Sequence, residues 1–328
     1  MKKHIVYYLL ILVLFVFGCE KKQDIKKQEI TKEKETLKYR IEEIKNENFP
    51  SQNLTIEKKM DYIKGKYQEY LFSYNSDGLK IYGKMNIPDK KIPDQGFPVV
   101  IINHGYIPPD VYDTDDSYKL VEGHFASAGF LTLKADYRGW NNSEKLENSV
   151  YNRLGLVRDI KYLLEAVPNI SEADEKNVFV YGHSMGGEVT LKLLETTNKN
   201  KIKAASLWAP CYESYPEVSL YFIRDEDNSQ LAKNRKRKIL SYIPRENFSL
   251  YSVTNYVNNI EIPLNIHHGT KDKSVPLEWS MNLAEKLKNY GKNYTFYTYE
   301  DDHNLANNFF SVLERDAQFF RKNIRHKK

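Results

Sequence analysis

The chain has 328 residues, 41% hydrophobic and 13% aromatic, which is ample for a folded core and excludes a disordered chain. A formal charge of +5, from 49 Lys and Arg against 44 Asp and Glu, is no nucleic-acid signature. With only two cysteines, Cys19 and Cys211, a disulfide framework is excluded.

Lys2 and Lys3 open the chain, an apolar run follows from Ile5 to Phe17, and Gly18-Cys19 leads abruptly into charged sequence. Thirteen apolar residues are too few for an ordinary transmembrane helix and suit the core of a signal peptide. Val16-Phe17-Gly18-Cys19 resembles the lipobox of bacterial lipoproteins. That resemblance implies cleavage of residues 1–18, lipidation of Cys19, and a body exported and anchored to a bacterial membrane or cell surface; an uncleaved anchor is the alternative. The formal charge then falls to +3, because Lys2 and Lys3 leave. Residues 19–66 are dominated by Lys, Glu, Asp and Gln, so a solvated stalk is expected there.

The catalytic body is expected over residues 67–328. Glu69 to Tyr74 and Leu79 to Met85 flank Asn75-Ser76-Asp77-Gly78, a turn signal between alternating runs that predicts an antiparallel hairpin. Short strands follow at Val99–Ile102, Leu131–Lys134, Val178–Tyr181, Ala204–Trp208, Leu264–His267 and Thr295–Thr298. Several are continuously apolar, as parallel strands covered on both faces require. Helical patterns separate them, including Tyr151 to Val167, where Val157, Ile160, Leu164 and Val167 share one stripe, and Leu277 to Tyr290. The alternation predicts an α/β fold: a mostly parallel twisted sheet begun by an antiparallel hairpin, with helices on both faces. Residues 212–259 break the rhythm and read as an inserted cap over the site.

Gly182-His183-Ser184-Met185-Gly186 lies between a strand and a helix, the context in which Gly-x-Ser-x-Gly forms a nucleophile elbow. Small residues are needed because the chain reverses so sharply that side chains two positions either side of the serine would strike the neighbouring strand and helix. A serine hydroxyl needs a base, and the base needs a carboxylate to orient it. In the chain order that accompanies this elbow the base follows Ser184, which leaves His267, His268, His303 and His326 among eight histidines. His267 and His268 end a strand ahead of the acid's expected loop, and His326 lies in a basic tail, so His303 is the candidate base. Asp272, in the loop His268-Gly269-Thr270-Lys271-Asp272, is the candidate acid, while Asp301 and Asp302 are read as solvated or capping residues. The oxyanion should meet the backbone N–H groups of Met185 and of Tyr106, in the loop Asn103-His104-Gly105-Tyr106. His104 is read as holding that loop and Cys211 as a small buried residue.

The hairpin Ser76 to Gly83, the loop Asn103-His104-Gly105, the turn Asp136-Tyr137-Arg138-Gly139, the elbow and the Asp272 loop together resemble the catalytic domain of the prolyl oligopeptidase family of serine hydrolases, over roughly residues 67–322. The resemblance implies the α/β-hydrolase fold and a Ser184, Asp272, His303 triad working through an acyl-enzyme. Family peptidases commonly carry a β-propeller, and the interval from Cys19 to Tyr67 is too short for blades of ~40 residues each. The family motifs imply hydrolysis of a peptide amide, while the missing propeller favours the alternative, a carboxylesterase or sugar-ester deacylase; a small molecule or short peptide or ester is the expected substrate. A non-catalytic surface binding protein is the contrasting class; it would be signalled by loss of a triad member, and none is lost. A lipase fits less well, because the cap carries Lys233-Asn234-Arg235-Lys236-Arg237-Lys238 where a lid would be apolar. Tyr212 and Tyr215 are candidates for lining the substrate pocket. The sequence calls for no cofactor and shows no metal-ligand spacing.

Overall fold

In the computed structural model, which describes residues 34–224 and 229–325, Asp77 and Gly78 have φ of 55° and 87°. Positive φ at both positions is what a two-residue hairpin turn requires. They join β2 (Tyr67–Ser76) to β3 (Leu79–Pro88), antiparallel in unbroken register from Ser76↔Leu79 to Tyr67↔Pro88. Then follow β4 (Phe97–Asn103), β5 (Leu131–Ala135), β6 (Ala173–His183), β7 (Ala204–Trp208), β8 (Leu264–Gly269) and β9 (Tyr294–Tyr299). With β1 (Thr55–Ile63) they make one nine-stranded sheet in the order β1-β2-β3-β5-β4-β6-β7-β8-β9. The first three strands and the β3–β5 contact are antiparallel, and every pairing from β5 to β9 is parallel.

Helices close both faces. α1 (Ile41–Asn46), α2 (Lys119–Ser127), α3 (Ser149–Ala166), α4 (Met185–Glu195), α5 (Glu217–Arg224), α6 (Ser229–Leu240), α7 (Leu277–Asn289) and α8 (Phe309–Lys322) follow in chain order. The larger core joins inward residues of the sheet such as Val99, Ile101 and Val180 to Val157, Ile160 and Leu164 of α3 and Val189 of α4. On the other face Val100, Ile102 and Phe179 pack with Phe125 of α2 and Phe320 of α8. Alternate residues of β4 thus feed opposite cores, which is why its sequence is apolar throughout. Each such Val, Ile or Phe side chain contributes about 1.5–3 kcal/mol by leaving water.

The sequence reading of residues 19–66 as a solvated stalk is corrected over the part that is described. Tyr39, Ile41, Ile44 and Phe49 are buried, and β1 pairs with β2 as the edge of the sheet. An edge strand faces solvent, and charges such as those of Glu57, Lys58, Lys59 and Asp61 guard it against pairing with other chains, so its composition imitates that of a disordered segment. Arg158 of α3 locks this segment down, reaching Glu47, Asp77 and the Lys38 carbonyl. Beside it Arg138 pairs with Asp159 at 2.7 Å, both fully buried, and ties the hairpin to α3. Residues 1–33, with the expected signal segment and Cys19, lie outside the described residues.

The described residues of 212–259 form α5, α6 and three 3₁₀ turns between β7 and β8. Tyr215, Leu220, Ile239, Ile243 and Tyr251 pack against Val150, Tyr151 and Leu154 of α3 in a cluster of their own. Lys233, Arg237 and Lys238 face solvent.

Candidate active site

β4, β6, β7, β8 and β9 are parallel, so the loops at their carboxyl ends gather on one side of the sheet, where open α/β sheets place their ligands. At the end of β6 Ser184 has φ 56° and ψ −119°, a strained conformation for a residue with a side chain. It is held by its N–H donating to the Trp208 carbonyl at 2.9 Å and by its own carbonyl accepting from Gly187 and Cys211 N–H. The flanking glycines are steric necessities. A Cβ on Gly182 would collide with the Thr190 side chain, and one on Gly186 with the Asn103 carbonyl at the end of β4.

A cavity of about 370 Å³ opens beside Ser184, and His303 lines it too. His303 Nδ1 lies 2.7 Å from Asp272 Oδ2, so the structure brings the expected acid to the expected base across the β8 and β9 loops. The other oxygen, Oδ1, accepts from Ser274 and Val275 N–H at 2.7 and 2.9 Å. Burial pushes the Asp272 carboxyl up, but hydrogen bonds from His268, His303 and Val275 N–H outweigh it and hold the group well below the usual carboxylate range. Asp301 shapes the His303 loop by accepting from Asn307 and Asn308, and Asp302 accepts from Asn304 and Ala306. Both aspartates therefore cap the turn rather than orient the imidazole.

The loop from Asn103 to Tyr118 forms the facing wall. His104 is buried between the rings of Tyr112 and Tyr137, and burial pulls it down to about 3, so it is neutral and its single N–H, on Nδ1, donates to the Gly105 carbonyl at 2.7 Å. Asp136 accepts from Tyr112 and Thr114, and Trp140 donates to the Ile107 carbonyl. Beneath, Lys84 of β3 donates to the Asp115 carbonyl and Lys134 of β5 to those of Thr114 and Ser117, both lysines being fully buried with Glu122. Gly105 N–H is taken by the Tyr118 hydroxyl at 2.8 Å. Among the described residues the N–H groups of Tyr106, which lines the cavity with Ser184, and of Met185, which follows Ser184 at the start of α4, have no protein acceptor.

The sequence reading placed Tyr212 and Tyr215 at the substrate pocket, and the structure puts both elsewhere. Tyr212 sits in the main core and Tyr215 in the cluster against α3. Among the described residues, the cavity is lined by none from 212–259; its apolar wall is Leu120, Tyr181, Trp208 and Phe309, with Tyr118 and His183 near the serine. Nothing in the sequence marks Tyr181 or Trp208 as pocket-lining, because each falls in an apolar strand that reads equally well as core. Cys211 is buried, 3.9 Å from Ser184 Oγ, with its thiol pushed up to about 12 by burial. Among the described residues no group of His, Cys, Asp and Glu is arranged to hold a metal ion.

Residues 117–327 match the family model described as "Prolyl oligopeptidase family". The chain is similar to the "Uncharacterized peptidase YtmA" of Bacillus subtilis, 26% identical over 68% of this chain and 80% of that one. It is 25% identical to "Dipeptidyl peptidase family member 1" of Caenorhabditis elegans, over 75% of this chain but only 30% of that longer protein. In fold it is similar to an acetyl xylan esterase from Paenibacillus sp. R4, with TM-score 0.65 and 18% identity over 87% of this chain and 92% of that one. A Pyrococcus horikoshii acylaminoacyl peptidase gives TM-score 0.62 and 21% identity over 80% of this chain and 43% of that one. With an α/β-hydrolase sheet, a strained serine at the elbow and a family match across most of its length, the chain belongs to the prolyl oligopeptidase family and is a serine hydrolase.

Proposed function

We propose that Ser184 is the nucleophile, His303 its general base and Asp272 the carboxylate that orients His303, and that the enzyme cleaves the amide bond of short peptides. The observation that carries this is Ser184 sharing one cavity with a histidine whose far nitrogen is 2.7 Å from a buried carboxylate. Ser184 Oγ attacks the carbonyl carbon while His303 Nε2 takes its proton, and the N–H groups of Met185 and Tyr106 receive the oxyanion. The tetrahedral adduct collapses as His303 returns the proton to the leaving amine. Water then repeats the cycle on the acyl-enzyme and frees Ser184. A cavity of about 370 Å³ walled by Leu120, Trp208 and Phe309 suits one apolar side chain or acyl group rather than a long chain.

A second reading, a carboxylesterase or sugar-ester deacylase, is favoured by the near end-to-end match in fold to an acetyl xylan esterase. A panel of p-nitrophenyl esters of rising chain length beside aminoacyl and Gly-Pro anilides separates the two. Ser184-dependent anilide cleavage is the expected result; turnover of esters alone would make the enzyme an esterase.

The body is further proposed to be exported and held at a bacterial membrane through lipidated Cys19. Cys19→Ser is expected to move the protein from the membrane fraction to the soluble fraction and to abolish incorporation of an alkyne fatty acid. An unchanged distribution with no labelling of the parent chain would remove the anchor.

A further inference from the structure

Between the oxyanion loop and the elbow lies a tyrosine that neither the triad nor the sheet requires. Tyr118 sits just ahead of α2 with φ 65° and ψ 14°, left-handed backbone that a side-chain-bearing residue keeps only when its surroundings hold it there. Its hydroxyl receives Gly105 N–H at 2.8 Å and lies 2.5 Å from His183 Nδ1. It occupies the same small space as the nucleophile: a Cβ on Gly105 would come within 2.8 Å of the phenol oxygen and 3.2 Å of Ser184 Cβ.

The direction of every hydrogen bond in this chain follows by elimination. Gly105 N–H can only donate, so the Tyr118 oxygen accepts it. The hydroxyl hydrogen is then free for His183 Nδ1, which must accept. His183 therefore carries its proton on Nε2, and that N–H donates to the His303 carbonyl at 3.2 Å. Burial and the nearby His303 pull His183 down to about 3, so the ring stays neutral and the order does not change near neutral pH. A single file of donors thus runs from the oxyanion loop through the elbow to the main chain of the general base.

We propose that Tyr118 is a positioning residue for the hydrolysis: it clasps Gly105 so that the adjacent Tyr106 N–H faces the developing oxyanion, and through His183 it fixes the loop that carries His303. The clasp rests on the reading of Ser184 as nucleophile and Tyr106 N–H as oxyanion donor. Consuming the Gly105 N–H is part of the function, since it leaves one loop amide and not two to meet the substrate. The anchoring of residues 114–117 by Lys84 and Lys134 holds the base of the tyrosine while its tip does this work.

The test is Tyr118→Phe, which keeps the ring and removes the hydroxyl. With the best substrate of the ester and anilide panel, kcat is expected to fall on the order of 10- to 100-fold, less than the loss of a whole oxyanion donor, with KM unchanged. Affinity for a substrate-matched boronate, which presents the tetrahedral oxygen, should fall by the same factor. A role in packing alone would lower the melting temperature and leave both quantities in place. His183→Phe breaks the same chain one link further on; it should also lower kcat, and the double variant should fall no further than the worse single one. Wild-type kcat in Tyr118→Phe, a loss confined to KM, or additive losses in the double variant would overturn the clasp. If Tyr118→Phe does not fold, wild-type kcat in His183→Phe overturns it and a lowered kcat with unchanged KM supports it. Turnover surviving in Ser184→Ala would instead sink the underlying assignment, so the two failures are distinguishable.

Discussion

Replacing Ser184 by alanine is expected to lower kcat by roughly 10⁶, to background, while the protein keeps its fold and melting temperature. Alanine removes the hydroxyl proposed to attack and leaves the elbow geometry alone, because the strained backbone is fixed by neighbours. Ser184 N–H is bonded to Trp208, and the Ser184 carbonyl to Gly187 and Cys211 N–H. No substitute nucleophile stands ready. The Cys211 thiol is 3.9 Å from the serine oxygen, but its burial pushes it up to about 12, so it carries almost no thiolate at neutral pH. The variant should therefore be silent on every ester and anilide, take no label from a fluorophosphonate, and gain no iodoacetamide-sensitive residual rate. Substantial residual turnover sensitive to iodoacetamide would show that Cys211 acts in its place.

Asp272→Asn should cost roughly 10⁴ in kcat with little change in KM. The size of the effect comes from the way the carboxylate is held. Its Oδ1 accepts two backbone N–H groups, from Ser274 and Val275, and those can be satisfied only by an oxygen. An asparagine must therefore turn its NH₂ toward the position of Oδ2, where it meets His303 Nδ1 and His268 Nε2. Faced with a donor, His303 must accept at Nδ1 and carry its proton on Nε2, the tautomer that cannot take a proton from Ser184. Asp272→Ala frees the imidazole from that wrong tautomer, so it should be no slower than the asparagine variant; an asparagine variant with wild-type kcat would remove Asp272 from the mechanism. Stability gives a second reading of the same group. Because the folded carboxyl is held below its ordinary value of about 3.9, folding is favoured by its ionised form; the contribution is complete above about pH 4–5 and is lost as pH falls through the folded value. Urea midpoints of parent and Asp272→Asn should differ most near pH 7, and the difference should start to shrink only below about pH 4.

What the sequence makes legible is what has a strict local grammar. The Asp77-Gly78 turn, the apolar strands and the elbow glycines each answer to a steric rule that few residues satisfy. The Asp272 and His303 loops could be picked out because chain order leaves few alternatives. Charged residues carry no such grammar. Glu57, Lys58 and Lys59 on an edge strand look the same on paper as those of a free stalk, and only the pairing with β2 tells them apart. The buried pairs of Arg138 with Asp159 and of Lys84 with Glu122 join residues far apart in sequence, so neither partner announces the other. Aromatic residues fail for a related reason. Tyr215 and Trp208 are both buried, and nothing in their neighbours says that one walls the cavity and the other packs behind α3.

The family match begins at residue 117, yet much of what makes the site precise lies ahead of it. The Asn103 carbonyl on which Gly186 rests, the free Tyr106 amide and the Lys84 that secures Asp115 all belong to the earlier strands and their loops. A piece of chain cut at that boundary would carry all three side chains of the proposed triad and still lack the wall they face. The unit that can be shortened, swapped between proteins or grafted onto another scaffold is accordingly set by the buried charges under the loop, and it reaches back through the hairpin to the segment that Arg158 fastens.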